Sequence, residues 1–303
     1  MTEYKSFYKT VQGNEGSLCH YPTRLDTYGR GCKHNCDYCY AKSLLDFRGL
    51  WNPDNPAVAD IDKIKKKIAG MKNTGQILRM GGMTDCFQQA EATYSVSYET
   101  IKELNKKGIG YLIVTKSDMV AQDRYIDIYD KKLAHIQITI ISTDNNTASH
   151  YEKASCTTNR IKAIEKLQEK GFDIAIRLSP YIPQYIDVEI INSIKCDKII
   201  IEFLRCNAFI RKTFDIDYSE YSLKIGNYWH LPLFRKIELL KGLKIKEKSV
   251  CDDVKEHFSY FQENFNYNKS DCCNLRRSDK GSDELWQIAE EDQTSMRHIS
   301  SLD

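Results

Sequence analysis

Three closely spaced cysteines are the most informative feature of the sequence. Cys32, Cys36 and Cys39 follow a C-x3-C-x2-C pattern. Such close spacing lets a single loop wrap three thiolates around an iron–sulfur cubane. Three protein ligands leave one iron open for a substrate or cofactor. The spacing therefore predicts an iron–sulfur centre that takes part in catalysis.

A zinc site, or a set of buried free thiols, is the alternative interpretation of these cysteines. Structural zinc normally takes four protein ligands, often as two separated pairs, and the sequence has no second C-x2-C pair. His34 would be the nearest fourth ligand, but it lies between two of the cysteines in a tight loop. The spacing favours the cluster and leaves zinc open.

The elements that position this loop follow from hydrophobic patterning between about residues 74 and 205. Apolar runs with little polar alternation are typical of parallel strands covered on both faces, and here they are Gln76–Met80, Tyr111–Thr115, Ile136–Ser142, Ile174–Ser179 and Lys198–Leu204. An earlier strand around Arg24–Tyr28 would lead into the cysteine loop. Amphipathic helices separate the runs, and two of them end in Lys-Gly, at Gly108 and Gly171. The alternation predicts an α/β fold, either a barrel or a doubly wound sheet.

The spacing of Cys32, Cys36 and Cys39, with Tyr38 before the third cysteine, resembles the radical S-adenosylmethionine (SAM) superfamily. The wider stretch from Tyr28 to Ser43 resembles the branch that contains spore photoproduct lyase and DNA repair photolyase-like proteins, and this likeness covers roughly residues 20–205. It implies a partial (β/α)6 TIM-type barrel. It also implies a [4Fe–4S] cluster that reduces bound S-adenosylmethionine to a 5′-deoxyadenosyl radical, with a flavodoxin- or ferredoxin-like electron donor.

We therefore expect four regions along the chain. Residues 1–22 form an N-terminal segment and residues 23–205 the partial barrel. Residues 206–275 form an α+β extension that acts as a lid or substrate region. Residues 276–303 form a polar tail with one helix near Asp283–Glu290.

The resemblance assigns S-adenosylmethionine contacts to residues that follow the predicted strands. Gly81 and Gly82 would let the ligand approach the backbone closely. Thr84 or Asp85 would bind the ammonium group of its methionine moiety. The other expected contacts are Lys116 to the carboxylate, Ser142 to the ribose or carboxylate, and Tyr38 beside the adenine.

The role of Arg177, near the end of the fourth apolar run, is open between two interpretations. The guanidinium would contact the cofactor or substrate, or it would pair with a carboxylate at the barrel rim such as Glu202. The sequence does not separate these two.

The sequence departs from spore photoproduct lyase in its other cysteines. The hydrogen-donating cysteine of that enzyme has no equivalent before Asp85, and Cys86 follows it instead. Cys86 is a candidate hydrogen donor, with a packed small hydrophobe as the alternative. Cys251, Cys272 and Cys273 would form an auxiliary metal or redox site, with ordinary thiols as the alternative.

Composition adds few constraints on partners. The net charge of +2 does not indicate a partner, so a nucleic-acid substrate would meet a local basic patch. The absence of a long apolar run or signal-like start predicts a cytoplasmic protein without membrane segments.

The leading hypothesis is a radical enzyme that repairs or modifies a nucleic acid base or nucleotide. A peptide or small-metabolite substrate, or a non-enzymatic iron–sulfur or zinc protein, is the alternative. Oligomeric state is not predicted.

Overall fold

In the computed structural model, which describes residues 5–9 and 18–275, strands and helices alternate as the sequence predicts. The strands are β1 (Phe7–Lys9), β2 (Thr23–Leu25), β3 (Tyr28–Gly29), β4 (Ala57–Val58), β5 (Ile77–Met80), β6 (Gly110–Thr115), β7 (Ala134–Thr139), β8 (Asp173–Tyr181), β9 (Lys198–Phe203), β10 (Leu223–Ile225), β11 (Tyr228–His230) and β12 (Glu247–Val250). The helices are α1 (Tyr40–Leu45), α2 (Ile61–Ala69), α3 (Ala90–Tyr94), α4 (Val96–Lys107), α5 (Asp123–Ile126), α6 (Asn145–Tyr151), α7 (Thr157–Glu169), α8 (Val188–Ser193), α9 (Ala208–Thr213), α10 (Leu233–Leu240) and α11 (Lys255–Asn264). Short 3-10 turns lie at Asp46–Arg48, Asp118–Ala121 and Pro183–Tyr185.

Within the described residues, eight strands form one sheet in the order β1-β2-β5-β6-β7-β8-β9-β12. Every neighbouring pair from β2 to β12 is parallel, and only β1 runs antiparallel to its neighbour. Helices connect the parallel strands, and the large hydrophobic core lies between the sheet and these helices. The carboxyl ends of the parallel strands therefore meet at one rim.

Three strand boundaries differ from the predictions, and at two of them a polar side chain bonds to the main chain. The strand predicted at Arg24–Tyr28 ends at Leu25, since Asp26 turns to accept the backbone N–H groups of Gly82 and Met83. β7 ends at Thr139 rather than at Ser142, whose hydroxyl bonds to the backbone of Asp144. The last predicted strand, Leu243–Val250, begins only at Glu247.

The sheet crosses the domain boundary that the sequence suggests after residue 205. β12 pairs in parallel with β9, so part of the expected extension completes the sheet. The hairpin of β10 and β11, helix α10 and helix α11 make up the rest of that region. The helix expected at Asp283–Glu290 lies outside the described residues. None of the helices that the structure describes is long and apolar enough to cross a membrane.

A buried ionic group fills the inner face of the sheet near the start of the strands. Lys198 forms an ion pair with Asp173, and Asp173 also binds His135 Nδ1 at 2.5 Å. The Lys198 ammonium donates a further bond to the Asn274 carbonyl at 2.5 Å. Burial opposes ionisation of Asp173, but His135 and Lys198 outweigh it and lower its pKa to about 2. The group ties β7, β8 and β9 to the end of the described chain.

Replacement of Lys198 by methionine should destabilise the fold strongly. Removing one partner of a buried ion pair leaves an uncompensated charge and costs about 3–5 kcal/mol. We expect the Lys198→Met variant to lose that much unfolding free energy in urea. Lys195→Met, at an exposed lysine on the same connection, is the matched control and should stay close to the parent. Equal stability of both variants would contradict the assignment.

Candidate cluster and cofactor site

The three motif cysteines lie on the loop between β3 and α1. Cys32 and Cys36 are buried, Cys39 is half-buried, and all three are free thiols. The loop requires a glycine at position 31, because a Cβ there would lie 1.9 Å from the Asn52 carbonyl oxygen. The Cys39 sulfur caps α1 by accepting the Lys42 N–H at 3.4 Å. Burial raises the pKa of the Cys39 thiol, and this backbone contact partly offsets that rise.

The separation of the thiols discriminates between a single ion and a cluster. At a Zn–S distance of ~2.3 Å, tetrahedral ligands lie about 3.8 Å apart. Among the described residues, the one set of three donor atoms that all come within 4.8 Å of one another lies elsewhere, at His20, Asp271 and Cys272. At least one pair among the sulfurs of Cys32, Cys36 and Cys39 is therefore more than 4.8 Å apart. The wider spread suits a cubane, in which each thiolate binds a different iron.

Asp85 anchors the cysteine loop to the ends of two strands. Its carboxylate accepts the Thr115 hydroxyl at 2.7 Å and the backbone N–H of Lys116 at 2.7 Å. His34 Nε2 lies 3.1 Å away, so this histidine faces Asp85. Burial opposes ionisation of Asp85, but His34 and the backbone donors hold its pKa below the usual range. The carboxylate expected to bind an ammonium therefore already binds several protein donors.

Glu152 is a second buried carboxylate, beside Cys36. It pairs with Arg160 and accepts the Tyr38 hydroxyl, and the Cys36 sulfur lies 3.7 Å from it. Burial would raise the pKa of Glu152, but Arg160 and Lys116 lower it. Sequence reasoning missed both Glu152 and Arg160. Arg160 does leave a signal, because it falls on the buried stripe of α7 that Ile164 and Leu167 continue.

A cavity opens at the rim formed by the strand ends, directly over the cysteine loop. The predicted site residues that line it are Cys32, Cys36, Cys39, Tyr38, Gly81, Gly82, Thr84, Asp85, Lys116 and Arg177. Apolar side chains of Phe203, Leu204 and Ile210 form another part of its wall. The cavity therefore combines three thiols, charged groups and a dry surface.

Among the residues predicted to contact the cofactor or to donate hydrogen, Ser142 and Cys86 do not line this cavity. Ser142 is fully buried, and its hydroxyl bonds to the backbone of Asp144. Cys86 is also fully buried, and desolvation, with Asp85 next, raises its thiol pKa well above the usual value. The structure thus places Cys86 as a packed thiol behind the cavity wall, the alternative that the sequence left open.

Close packing against other parts of the protein explains why Gly81 and Gly82 are glycines. A Cβ at Gly81, whose φ is +82°, would lie 2.7 Å from the Val114 carbonyl oxygen. A Cβ at Gly82 would lie 2.2 Å from the Tyr8 hydroxyl. Packing therefore requires small residues here, and their backbone also faces the cavity.

Lys116 and Tyr38 lie together in the cavity. The Lys116 ammonium is 5.6 Å from the centroid of the Tyr38 ring, within range of a cation–π contact. Lys116 also lowers the pKa of the Cys36 thiol, although burial dominates and keeps that pKa high. This lysine is therefore a cation close to the thiols and is placed to meet an anionic group of a ligand.

Arg177 pairs with Glu202, as the sequence suggested in one of its two interpretations. The guanidinium lies 2.5 Å from a Glu202 oxygen that also accepts the Ser179 hydroxyl at 2.7 Å. Burial opposes ionisation of Glu202, but Arg177 and Arg79 lower its pKa to about 2. Arg177 also lines the cavity, so pairing does not remove it from the site.

Comparison with known proteins decides the family. Residues 27–195 match the family model described as the Radical SAM superfamily. The chain belongs to the radical SAM superfamily. Members of this superfamily use a [4Fe–4S] cluster and S-adenosylmethionine, and they are enzymes. The matched region contains all three cysteines of the loop, Asp85 and Glu152.

The curated relatives of this radical SAM chain match only part of it. An uncharacterized protein of Methanocaldococcus jannaschii is 30% identical over 169 residues, which cover 53% of this chain and 61% of the relative. An uncharacterized protein of Mycobacterium tuberculosis (strain H37Rv) is 23% identical over 176 residues, which cover 55% of this chain and 52% of the relative. The chain thus spans little more than half the length of these relatives.

Solved structures confirm the predicted fold. Spore photoproduct lyase complexed with dinucleoside spore photoproduct superposes with a TM-score of 0.58 at 13% identity, over 80% of this chain and 78% of that enzyme. Streptococcus suis SuiB bound to S-adenosylmethionine gives a TM-score of 0.50 at 12% identity, over 80% of this chain and 52% of SuiB. The α/β partial TIM-type barrel expected from the sequence is therefore correct.

The residues present fit the superfamily cofactors. The three free thiols lie on one loop and adjoin a cavity with a cation and apolar walls. Burial raises the pKa of Cys32 to about 12, with Asp85 adding to the effect. The metal must therefore displace thiol protons when it binds.

Replacement of Arg160 by methionine should destabilise the metal-free protein, since Glu152 would keep a buried, unpaired charge. We expect a loss of about 3–5 kcal/mol of unfolding free energy in urea. The double variant Arg160→Met with Glu152→Gln should recover part of it, because an uncharged pair carries no such penalty. Lys162→Met, at an exposed position of α7, is the control. A double variant less stable than Arg160→Met would refute the pairing argument.

Proposed function

We propose that this chain is a radical SAM enzyme that acts on a nucleic acid base or nucleotide. The supporting observation is a set of alternating basic and aromatic side chains on and beside the cavity wall. Such sets bind nucleic acids because the cations meet phosphates and the rings stack on bases. This set is local, in keeping with a net charge of only +2.

The first part of this set belongs to the cavity wall itself. The guanidinium of Arg205 lies 5.5 Å from the Tyr40 ring centroid and 5.6 Å from that of Tyr228. An ion pair with Asp253 at 3.0 Å fixes its position. Tyr40 reaches into the site, since its hydroxyl bonds to the Gly82 carbonyl. Aromatic faces and one positive charge thus stand beside the residues expected to hold the cofactor.

The second part continues outward along the hairpin of β10 and β11. Trp229 is half-buried, with the Arg211 guanidinium 4.9 Å and the Lys224 ammonium 5.1 Å from its ring. Arg211 also lies 5.2 Å from the Tyr218 ring. Arg211 and Lys224 are both exposed, so a strand of nucleic acid can reach them. The aromatic residues would stack on bases while the cations meet phosphates.

In this proposal the motif cysteines hold the cluster and Lys116 faces the carboxylate of the cofactor. When bound, the cluster and S-adenosylmethionine supply a carbon radical that removes a hydrogen atom from an unactivated position of the substrate. Phe203, Leu204 and Ile210 keep water away from the reacting groups. Asp85 and Glu152 hold the cysteine loop in place.

Two further parts of the proposal concern partners and compartment. The electron that the chemistry requires would come from a flavodoxin- or ferredoxin-like protein. All eleven cysteines of the chain are free thiols, which supports a reducing, cytoplasmic environment.

Anaerobic reconstitution with iron and sulfide tests the reaction. With dithionite, S-adenosylmethionine and deuterium-labelled oligonucleotides, the protein should form 5′-deoxyadenosine and change the mass of the oligonucleotide. The Cys36→Ala variant should form neither product. Cofactor cleavage that transfers label only from peptides or small metabolites would replace the nucleic-acid assignment. A colourless protein with one zinc would contradict the reaction itself.

Replacement of Trp229 by alanine should weaken binding of single-stranded DNA. Loss of one stacked base costs about 1–3 kcal/mol, so we expect the dissociation constant to rise about tenfold in fluorescence anisotropy. Binding should also weaken steeply with salt, because phosphate contacts release counterions. Phe234→Ala, at an exposed aromatic residue on α10, is the matched control. Equal affinities for both variants would exclude this surface as the substrate site.

A further inference from the structure

A second group of metal-binding side chains lies away from the cysteine loop, contributed by distant parts of the chain. A ring nitrogen of His20, a carboxylate oxygen of Asp271 and the Cys272 sulfur all lie within 4.8 Å of one another. Asp271 and Cys272 are buried, and His20 is half-buried. Among the described residues, this is the one group of three such donors that comes so close together.

Two more thiols lie against the same sulfur. The side chains of Cys251 and Cys273 both contact Cys272 and, ahead of burial, raise the pKa of its thiol. Cys251 directly follows β12, and Cys273 is buried. None of the three is in a disulfide. Cys272 is therefore surrounded by nitrogen, oxygen and sulfur donors, the set from which tetrahedral zinc sites are built.

Hydrogen bonds orient the carboxylate of this group. Asp271 accepts the Tyr21 hydroxyl at 2.5 Å and the backbone N–H groups of Cys273 and Leu275 at 2.9 and 3.1 Å. His20 Nδ1 lies 3.4 Å from it. Metal-binding carboxylates and imidazoles are held by bonds of this kind in known sites. The group is thus ordered before any ion binds.

The group lies on the inner face of the sheet, just beneath the cavity. Cys272 and Cys273 pack with Leu112 and Val114 of β6, and Val114 also lines the cavity. Arg177, another cavity residue, interacts electrostatically with Cys251 and Cys273.

We propose that His20, Asp271 and Cys272 bind a single zinc-type divalent ion, with the thiolate of Cys251 or Cys273 as the fourth ligand. His20, Asp271 and Cys272 already come within 4.8 Å of one another. Cys251 and Cys273 contact Cys272 but lie outside that set, so the thiol that serves as the fourth ligand moves towards the ion when it binds. His20 lies just before β2 and Cys251 just after β12, near opposite edges of the sheet. The ion therefore joins the two sides of an incomplete barrel.

Cobalt titration tests the site without interference from the cluster. The full chain carrying Cys32→Ala, Cys36→Ala and Cys39→Ala is stripped with a chelator and titrated with Co²⁺. We expect one ion per chain, with thiolate-to-cobalt charge-transfer and tetrahedral ligand-field bands that Zn²⁺ abolishes. Zn²⁺ should also raise the melting temperature, since a ligand that binds only the folded state stabilises it.

Single replacements in this background assign the ligands. Cys272→Ser should remove the cobalt bands, and His20→Ala should weaken binding at least tenfold. Cys251→Ser and Cys273→Ser identify the fourth ligand, since one of them should lose the affinity. The matched control is Cys196→Ser, at a buried cysteine that bonds to the Lys198 and Ile174 carbonyls.

Three results would overturn the proposal. The first is a parent chain that binds no stoichiometric Co²⁺ or Zn²⁺. The second is unchanged metal binding in both Cys272→Ser and His20→Ala. Two variants are used so that, if one of them fails to fold, the other still tests the ligand assignment. The third is an iron–sulfur spectrum from the triple variant after reconstitution, which would mean a second cluster. None of these results depends on whether the chain acts on nucleic acid.

Discussion

The site depends on the neutralisation of buried charge around the cysteine loop. Asp85 and Glu152 are almost fully buried, and a buried carboxylate without a partner costs several kcal/mol. His34 and backbone donors compensate Asp85, and Arg160 compensates Glu152. These bonds join the loop to β6 and α7, so charge compensation also fixes where the thiols stand. A loop held only by the metal would lose its shape whenever the cluster was absent.

The sequence predicts the chemistry of the site better than it predicts the buried side chains that hold the cysteine loop in place. The cysteines have a local spacing, and the α/β alternation has a local period, so both are visible without a structure. Glu152 has no such signal because its partners come from other elements. Asp85 was identified by type, but its hydrogen bonds to Thr115 and Lys116 depend on how β5 and β6 pair. The sequence predicts Ser142 at the end of a strand. In the structure that strand ends at Thr139, and the Ser142 hydroxyl bonds to the backbone of Asp144 instead.

Contacts between distant segments are still harder to predict for the metal-binding group on the inner face of the sheet. Cys272 and Cys273 are adjacent in the sequence and invite attention, whereas His20 is more than two hundred residues away. Only the sheet order, with β2 near one edge and β12 at the other, brings these segments together. The sequence boundary after residue 205 also hid this relation. It separated β12 from a sheet that β12 completes.

The positions of the two thiol groups suggest a division of roles. The cysteine loop adjoins the cavity directly, so a redox-active cluster there can deliver an electron to a ligand in the cavity. None of the residues of the inner group lines the cavity, and Arg177, which does, interacts with Cys251 and Cys273 from the cavity side. Zinc has no redox chemistry, so an ion there would stabilise the barrel without competing for that electron. A barrel whose sheet is open at both edges gains most from such a link, because the ion joins elements that no strand pairing connects.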